Sequence, residues 1–168
     1  KIGGKAEYIA CDVNDPQAVA KAVDQVLSAE PHVDVLIHAA GVERSRKLES
    51  KSEEEFRQVF DAKVNGFYHL FKALENRGQI PQAIVNFSSV AGRFGNAGQT
   101  DYSAANDLLT RLASAFRGQY PNIQVVTIDW GAWAEVGMAS RGHIPELMRR
   151  AGIEMMNPQE AAACVARE

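Results

Sequence analysis

Three residues of this chain carry side chains that could act together on a carbonyl group: Ser89, Tyr102 and Lys63. Ser89 closes an apolar run, Tyr102 follows thirteen residues later at the start of a helical pattern, and Lys63 lies between Phe60 and Phe67. That spacing sets Lys63 on the apolar face of its helix, where an ammonium is expensive unless paired and readily shifts its pKa. Reducing a ketone requires a proton donor at the carbonyl oxygen while hydride arrives at the carbon. A free tyrosine, with a pKa of about 10, is a weak acid for that task, and a nearby ammonium would lower the value by stabilising the anion. A serine hydroxyl can hold the oxygen in place as charge develops on it. Asn106 stands one turn beyond Tyr102, on the side shared with Leu109, Ala113 and Phe116. Each residue alone has a plainer reading: a lysine stem snorkelling to water, Tyr102 and Asn106 as cap neighbours, Ser88-Ser89 as turn residues. The combination favours chemistry.

Elements that could position these groups alternate along the chain. Ala6 to Val13 is a short apolar run that reads as a buried strand. Asn14-Asp15-Pro16 then supplies cap residues and a proline at a first helical position, ahead of Val19, Ala22, Val23, Val26 and Leu27 at helical spacing. Asp34 to His38 reads as a second strand, ended by Ala39-Ala40-Gly41. Ser52 and Glu55 form a capping-box pattern before a long helix with Phe56, Val59, Phe60, Phe67, Leu70, Phe71 and Leu74 on one face. Ala83 to Phe87 is expected as a third strand leading into a glycine-bearing loop. Tyr102 to Phe116 follows as a helix, and Val125 to Trp130 as a fourth strand. Helices are also expected near Pro145–Arg150 and from Asn157-Pro158 onward. Strands alternating with helices of this length imply right-handed βαβ units and a parallel sheet, with ligands at the carboxyl ends of the strands. Asp12, His38 to Gly41, Ser88-Ser89 and Asp129 to Gly131 all fall at those ends.

Composition narrows the classes. At 168 residues the chain has the length of one domain, and 46% hydrophobic with 23% charged residues is ordinary globular composition. A net charge of −3 with no basic run argues against nucleic acid or an anionic membrane as partner. No stretch has the roughly 18–20 apolar residues of a membrane span, and no apolar region follows the first lysines as in a signal peptide. Two cysteines, Cys11 and Cys164, make no disulfide framework and sit in no metal-ligand pattern, which points to a reducing, cytoplasmic setting and to no metal.

At Ser89 and Tyr102 the chain resembles the short-chain dehydrogenase/reductase superfamily, whose signature is a strand-end Ser followed by Tyr-x-x-x-Lys. Asn106, not Lys, stands four residues after Tyr102. That exchange resembles the ketoreductase domains of modular polyketide synthases and animal-type fatty acid synthases. There the lysine comes from the preceding helix in a Lys-x-x-Gly pattern, matched here by Lys63-Val-Asn-Gly66. His38-Ala-Ala-Gly41-Val42, Phe87-Ser88-Ser89-Val-Ala-Gly92 and Tyr102-Ser-Ala-Ala-Asn106 also match in order, as does Asp129-Trp-Gly-Ala-Trp133-Ala-Glu-Val-Gly137-Met138-Ala139. The run GRFGNAGQTDYSAAND looks closest to ketoreductases of large iterative or polyunsaturated-fatty-acid-like synthases.

The resemblance implies a Rossmann-like, doubly wound parallel sheet and NADPH-dependent reduction of a β-ketoacyl thioester. Its implied partners are an acyl carrier protein bearing that substrate and the other domains of a synthase. Tyr102 would donate the proton, Ser89 would hold the carbonyl oxygen, and Lys63 would lower the tyrosine pKa and bind the nicotinamide ribose. Asn106 would take the place of the usual lysine. Asp12 and Val13 would contact the adenine, Ala39, Ala40 and Gly41 would let the backbone approach the cofactor, and Gly131 would border the nicotinamide. Residues 132–150, with Trp133 and Met138, would form a substrate lid, and Phe94 and Gln99 would join the substrate side; simple packing is the alternative for Trp133 and Met138.

The resemblance has limits. Val42-Glu43-Arg44-Ser45 replaces a Leu-Asp-Asp-type motif, and Phe94 stands where a tryptophan would precede the tyrosine by eight residues, so no product stereochemistry follows. No Gly-x-Gly-x-x-Gly-like turn occurs. The strand order therefore reads as starting at the third, and the sequence is expected to be an incomplete domain lacking the first βαβ unit and its phosphate-binding turn. Two other functions compete: a free-standing short-chain reductase of small carbonyls, against which the Lys63/Asn106 exchange argues, and a non-catalytic structural domain, against which the presence of serine, tyrosine and lysine argues.

Overall fold

The computed structural model describes residues 3–167. Its centre is a parallel sheet of three strands, β1 (Val35–His38), β2 (Ala83–Ser89) and β3 (Gln124–Trp130), in the order β1-β2-β3. His38 pairs with Asn86, and Ser89 with Trp130, so the strands end together at their carboxyl side. Alternation then gives each strand two different faces. Leu36, His38, Ile84, Asn86 and Ser88 are buried on one of them.

Three helices cover that face: α1 (Pro16–Ala29), α2 (Glu53–Glu75) and α4 (Thr100–Gln119). Val19 and Val23 from α1, Phe67, Phe71 and Leu74 from α2 and Leu109 from α4 join Leu36 and Ile84 in one core. The ring of Phe116 packs edge-on against both Phe67 and Phe71, at centroid distances of 5.3 and 4.5 Å. The helix starts follow from local chemistry. Asp15 caps α1, with Pro16 at its first position, and Ser52 and Glu55 form a reciprocal capping box on α2. This is the parallel α/β arrangement that the strand and helix pattern implies, and the Rossmann-like fold that the family resemblance implies.

Two elements differ from expectation. Residues 6–13 form no strand, because no described strand lies beside them to supply a ladder, and Val13 already belongs to the turn before α1. Their end is held instead against α2: Val13 lies against Gly66, and its carbonyl accepts from His69 Nδ1 at 3.0 Å. The loop after Ser89 begins as a short helix, α3 (Val90–Phe94), capped by the Ser89 hydroxyl and closed by Gly95 at φ 73°. A Cβ on Gly92 would meet Asn106 Cβ at 2.8 Å, so glycine there lets α3 press directly onto α4. That contact fixes where Ser89 sits relative to the first turns of α4. Beyond β3 lie α5 (Ile144–Arg150) and α6 (Pro158–Val165), near their expected positions.

Candidate active site

The carboxyl ends of the strands gather the chemistry. Lys63, in the middle of α2, is only 3% exposed, so its stem does not snorkel to water. Its ammonium donates to the carbonyl of Phe87, two residues before Ser89. A Cβ on Gly41 would lie 2.9 Å from Lys63 Cε, which means the lysine crosses directly over this glycine. Burial alone lowers the Lys63 pKa from its ordinary 10.5 to about 8.

Tyr102 stands in the first turn of α4 with Ser89 and Asn106 as partners of its phenol. Burial pushes the phenol pKa up; hydrogen bonds with Ser89 and then Asn106 pull it back, and the Glu43 charge adds to the rise. Lys63 is not among the groups that shift the phenol here; its ammonium is directed to the Phe87 carbonyl. Tyr102 keeps its proton through neutral pH. Ser88 and Ser89 separate cleanly: Ser88 is buried toward the helices and donates to the Asn106 carbonyl at 3.3 Å, whereas Ser89 points to the opposite face. Asn106 is fully buried and donates through Nδ2 to the Tyr102 carbonyl at 2.8 Å, leaving Oδ1 without a protein partner.

The remaining expected residues divide. Ala39, Ala40 and Gly41 follow β1 beside Lys63, and Gly131 follows β3, where a Cβ would touch Met156 at 3.7 Å. Asp12 is exposed and turns one oxygen onto the amide of Asn14, while Val13 packs on α2. Phe94 ends α3 and is 79% exposed. Gln99 caps the start of α4 and donates to Glu43 at 3.0 Å and to Ser45 at 3.2 Å. Trp133 lies edge-on to Trp130, 4.9 Å between centroids, and bridges to Met156. Met138 opens a half-buried turn at 138–140. Sequence reasoning missed Glu43 as an electrostatic neighbour of Tyr102; the only signal was its position two residues after Gly41.

His38 lies beneath the site with its ring 1% exposed. Its Nε2 is 2.8 Å from the carbonyl of Lys63, which can only accept, so the neutral ring donates from Nε2. Burial lowers its pKa from 6.5 to about 4 despite that hydrogen bond, and the Lys63 charge adds to the fall. The unfolded chain thus takes up this proton first on acidification. His38 should contribute its full stabilisation above about pH 6.5 and lose about 3 kcal/mol of it as pH falls toward 4. Hydrogen exchange of α2 and β1 peptides across this range should show the loss, and His38→Gln should flatten it.

A buried lysine, a strand-end serine and a tyrosine at a helix start, set at the carboxyl edge of a parallel sheet, define a short-chain oxidoreductase type of protein. The KR domain family model matches residues 1–135, and the chain belongs to that family. KR domains of polyketide synthases are nicotinamide-dependent oxidoreductases of the short-chain dehydrogenase type. The chain is 38% identical over 165 residues to the polyketide synthase GfsB of Streptomyces halstedii, spanning 98% of this chain and 3% of that protein. It is 34% identical over 167 residues to a polyunsaturated fatty acid synthase polypeptide from a Thraustochytrium species, spanning 99% of this chain and 6% of that one. Among solved structures, the PlmKR1 ketoreductase from the first module of phoslactomycin biosynthesis in a Streptomyces species superposes with a TM-score of 0.85 at 34% identity. That match covers 97% of this chain and 37% of the other. The chain thus spans a few per cent of the length of these curated relatives. Among the described residues, no helix is long and apolar enough to cross a membrane.

Proposed function

We propose that this chain provides the reducing centre of an NADPH-dependent ketoreductase acting on a β-ketoacyl thioester carried by an acyl carrier protein, within a cytoplasmic synthase. One observation carries the reading: a lysine buried across Gly41 and anchored two residues from Ser89, the same serine that partners the Tyr102 phenol together with Asn106. The residues suit the reacting end of a nicotinamide cofactor. Asn106 Oδ1 is a buried acceptor without a partner among the described residues, the Lys63 ammonium is a buried cation, and Ala39 to Gly41 add almost no bulk. Gly131 borders the same end, and Asp12 and Val13 take the adenine side. When bound, the cofactor supplies hydride to the β-carbon.

The chain's own groups do the rest. Ser89 donates a hydrogen bond to the ketone oxygen, and Tyr102, which holds its proton at neutral pH, passes that proton to the same oxygen as negative charge develops. Lys63 would help hold the cofactor's ribose when the cofactor is bound, and its buried ammonium supplies positive charge near the end of β2 that bears Ser89. Phe94, Gln99 and residues 132–150, with Trp133 and Met138, form the substrate side and lid, limiting water at the reacting atoms. Residues 1–168 belong to one ketoreductase catalytic domain, of which they form a part.

Substrate preference tests the reading. With NADPH, the natural full-length polypeptide that carries these residues should reduce an acetoacetyl thioester at least tenfold more efficiently, by kcat/KM, than simple ketones or aldehydes. Equal efficiency would favour a free-standing reductase of small carbonyls, and a folded protein inert toward both would favour a non-catalytic domain.

A further inference from the structure

Between β1 and α2, residues 43–51 run against the start of α4 and are tied to it repeatedly. Arg46 N donates to the Gly98 carbonyl at 2.8 Å, and Gln99 reaches Glu43 and Ser45. One tie is of a different kind. Lys51, immediately before the cap of α2, and Asp101, in the first turn of α4, form an ion pair at 2.6 Å with both side chains only 1% exposed. Lys51 Nζ also donates to the Arg44 carbonyl at 2.6 Å, and Asp101 Oδ1 accepts the backbone N–H of Tyr102 at 2.9 Å. Both charges are thereby satisfied, and one end of the chain of bonds is Tyr102 itself.

A buried ion pair is seldom worth more to stability than an apolar pair of the same size, so stability does not account for this one. What it supplies is direction. α4 starts without a side-chain cap from Gln99, and its first-turn donors would otherwise be free to fray. Asp101 holds one of them, the N–H of Tyr102, and Lys51 fixes Asp101 against a different helix and a different loop. The backbone of Tyr102 is therefore referenced to the loop that follows Gly41 and to the start of the helix bearing Lys63. Displacements of about 1 Å at a reacting group reduce rates about 10²-fold, so the geometry of the phenol relative to Ser89 needs such a reference.

We infer that Lys51 and Asp101 are positioning residues for the reaction at Tyr102: the buried pair sets where the phenol stands and touches no substrate itself. The inference rests on the ketoreductase reading. Its test replaces both charges together, since Lys51→Met with Asp101→Leu leaves no unpaired buried ion. In the natural full-length polypeptide, the double variant should lose 10- to 100-fold in kcat toward an acetoacetyl thioester, with KM within about twofold, while hydrogen exchange of α2 and β2 peptides stays at the wild-type level. Placed on Tyr102→Phe, the same double change should have no further effect on the residual rate. A wild-type kcat in the double variant would overturn the inference, and so would a loss that persists undiminished in the Tyr102→Phe background. A wild-type protein that reduces no thioester would sink the ketoreductase reading and this inference with it, an outcome distinct from either.

Discussion

Tyr102→Phe should lower kcat for thioester reduction about 10³-fold while leaving KM nearly unchanged. The phenylalanine keeps the ring, its packing and the first turn of α4, and removes one hydroxyl. Tyr102 is the proton-bearing group partnered with Ser89, and its raised pKa keeps that proton in place at neutral pH. A hydroxyl that only filled space or capped a helix would leave turnover within a few-fold of normal. Ser89→Ala should be milder, because the phenol still reaches the oxygen; yet Ser89 also accepts the Ala91 N–H that starts α3, so part of its effect would be structural.

Lys63→Met should separate activity from stability. The ammonium is held in a site whose burial lowers its pKa from 10.5 to about 8. At neutral pH it is charged in both folded and unfolded states, so the folded state bears the whole desolvation penalty, about 3 kcal/mol for a shift of that size. Methionine matches the stem without the charge and gives up only the bond to the Phe87 carbonyl. The variant should therefore be more stable by about 1–3 kcal/mol, read as a roughly ten- to hundredfold gain in hydrogen-exchange protection across α2. Turnover should fall by 10² or more. The pH dependence has a definite sign. Because the folded pKa lies below the unfolded one, wild-type stability rises as pH climbs from about 8 toward 10.5, and the gap to Lys63→Met closes over that interval. Such a trade of stability for charge is expected where function needs the cation.

Much of this was legible in the residues. The 3.6-residue repeat of α2 set Lys63 among Phe60 and Phe67, and the structure finds it buried there. The capping box at Ser52 and Glu55 and the Pro16 start of α1 follow from chemistry confined to one turn, so they survive without tertiary context. Residues 6–13 fail as a strand for the opposite reason: an apolar run carries no record of whether another strand lies alongside. The short helix at 90–94 depends on Gly92 meeting Asn106, a contact between segments fourteen residues apart that periodicity does not encode. The Lys51–Asp101 pair joins residues fifty apart. A lysine and an aspartate in two polar stretches look like surface charges until the fold buries them together. The Tyr102 pKa likewise turns first on burial of the phenol, then on its Ser89 and Asn106 partners and on Glu43, all of which depend on three-dimensional placement.

The proposed centre for β-keto reduction, built from Ser89, Tyr102, Lys63 and Asn106, would couple cofactor oxidation to product. A single-turnover reaction of the natural full-length polypeptide with NADPH and an acetoacetyl thioester follows both together. The expected result is one 3-hydroxybutyryl thioester formed for each NADPH consumed. A folded protein that consumes NADPH without forming the hydroxyacyl product, or consumes none, would contradict it.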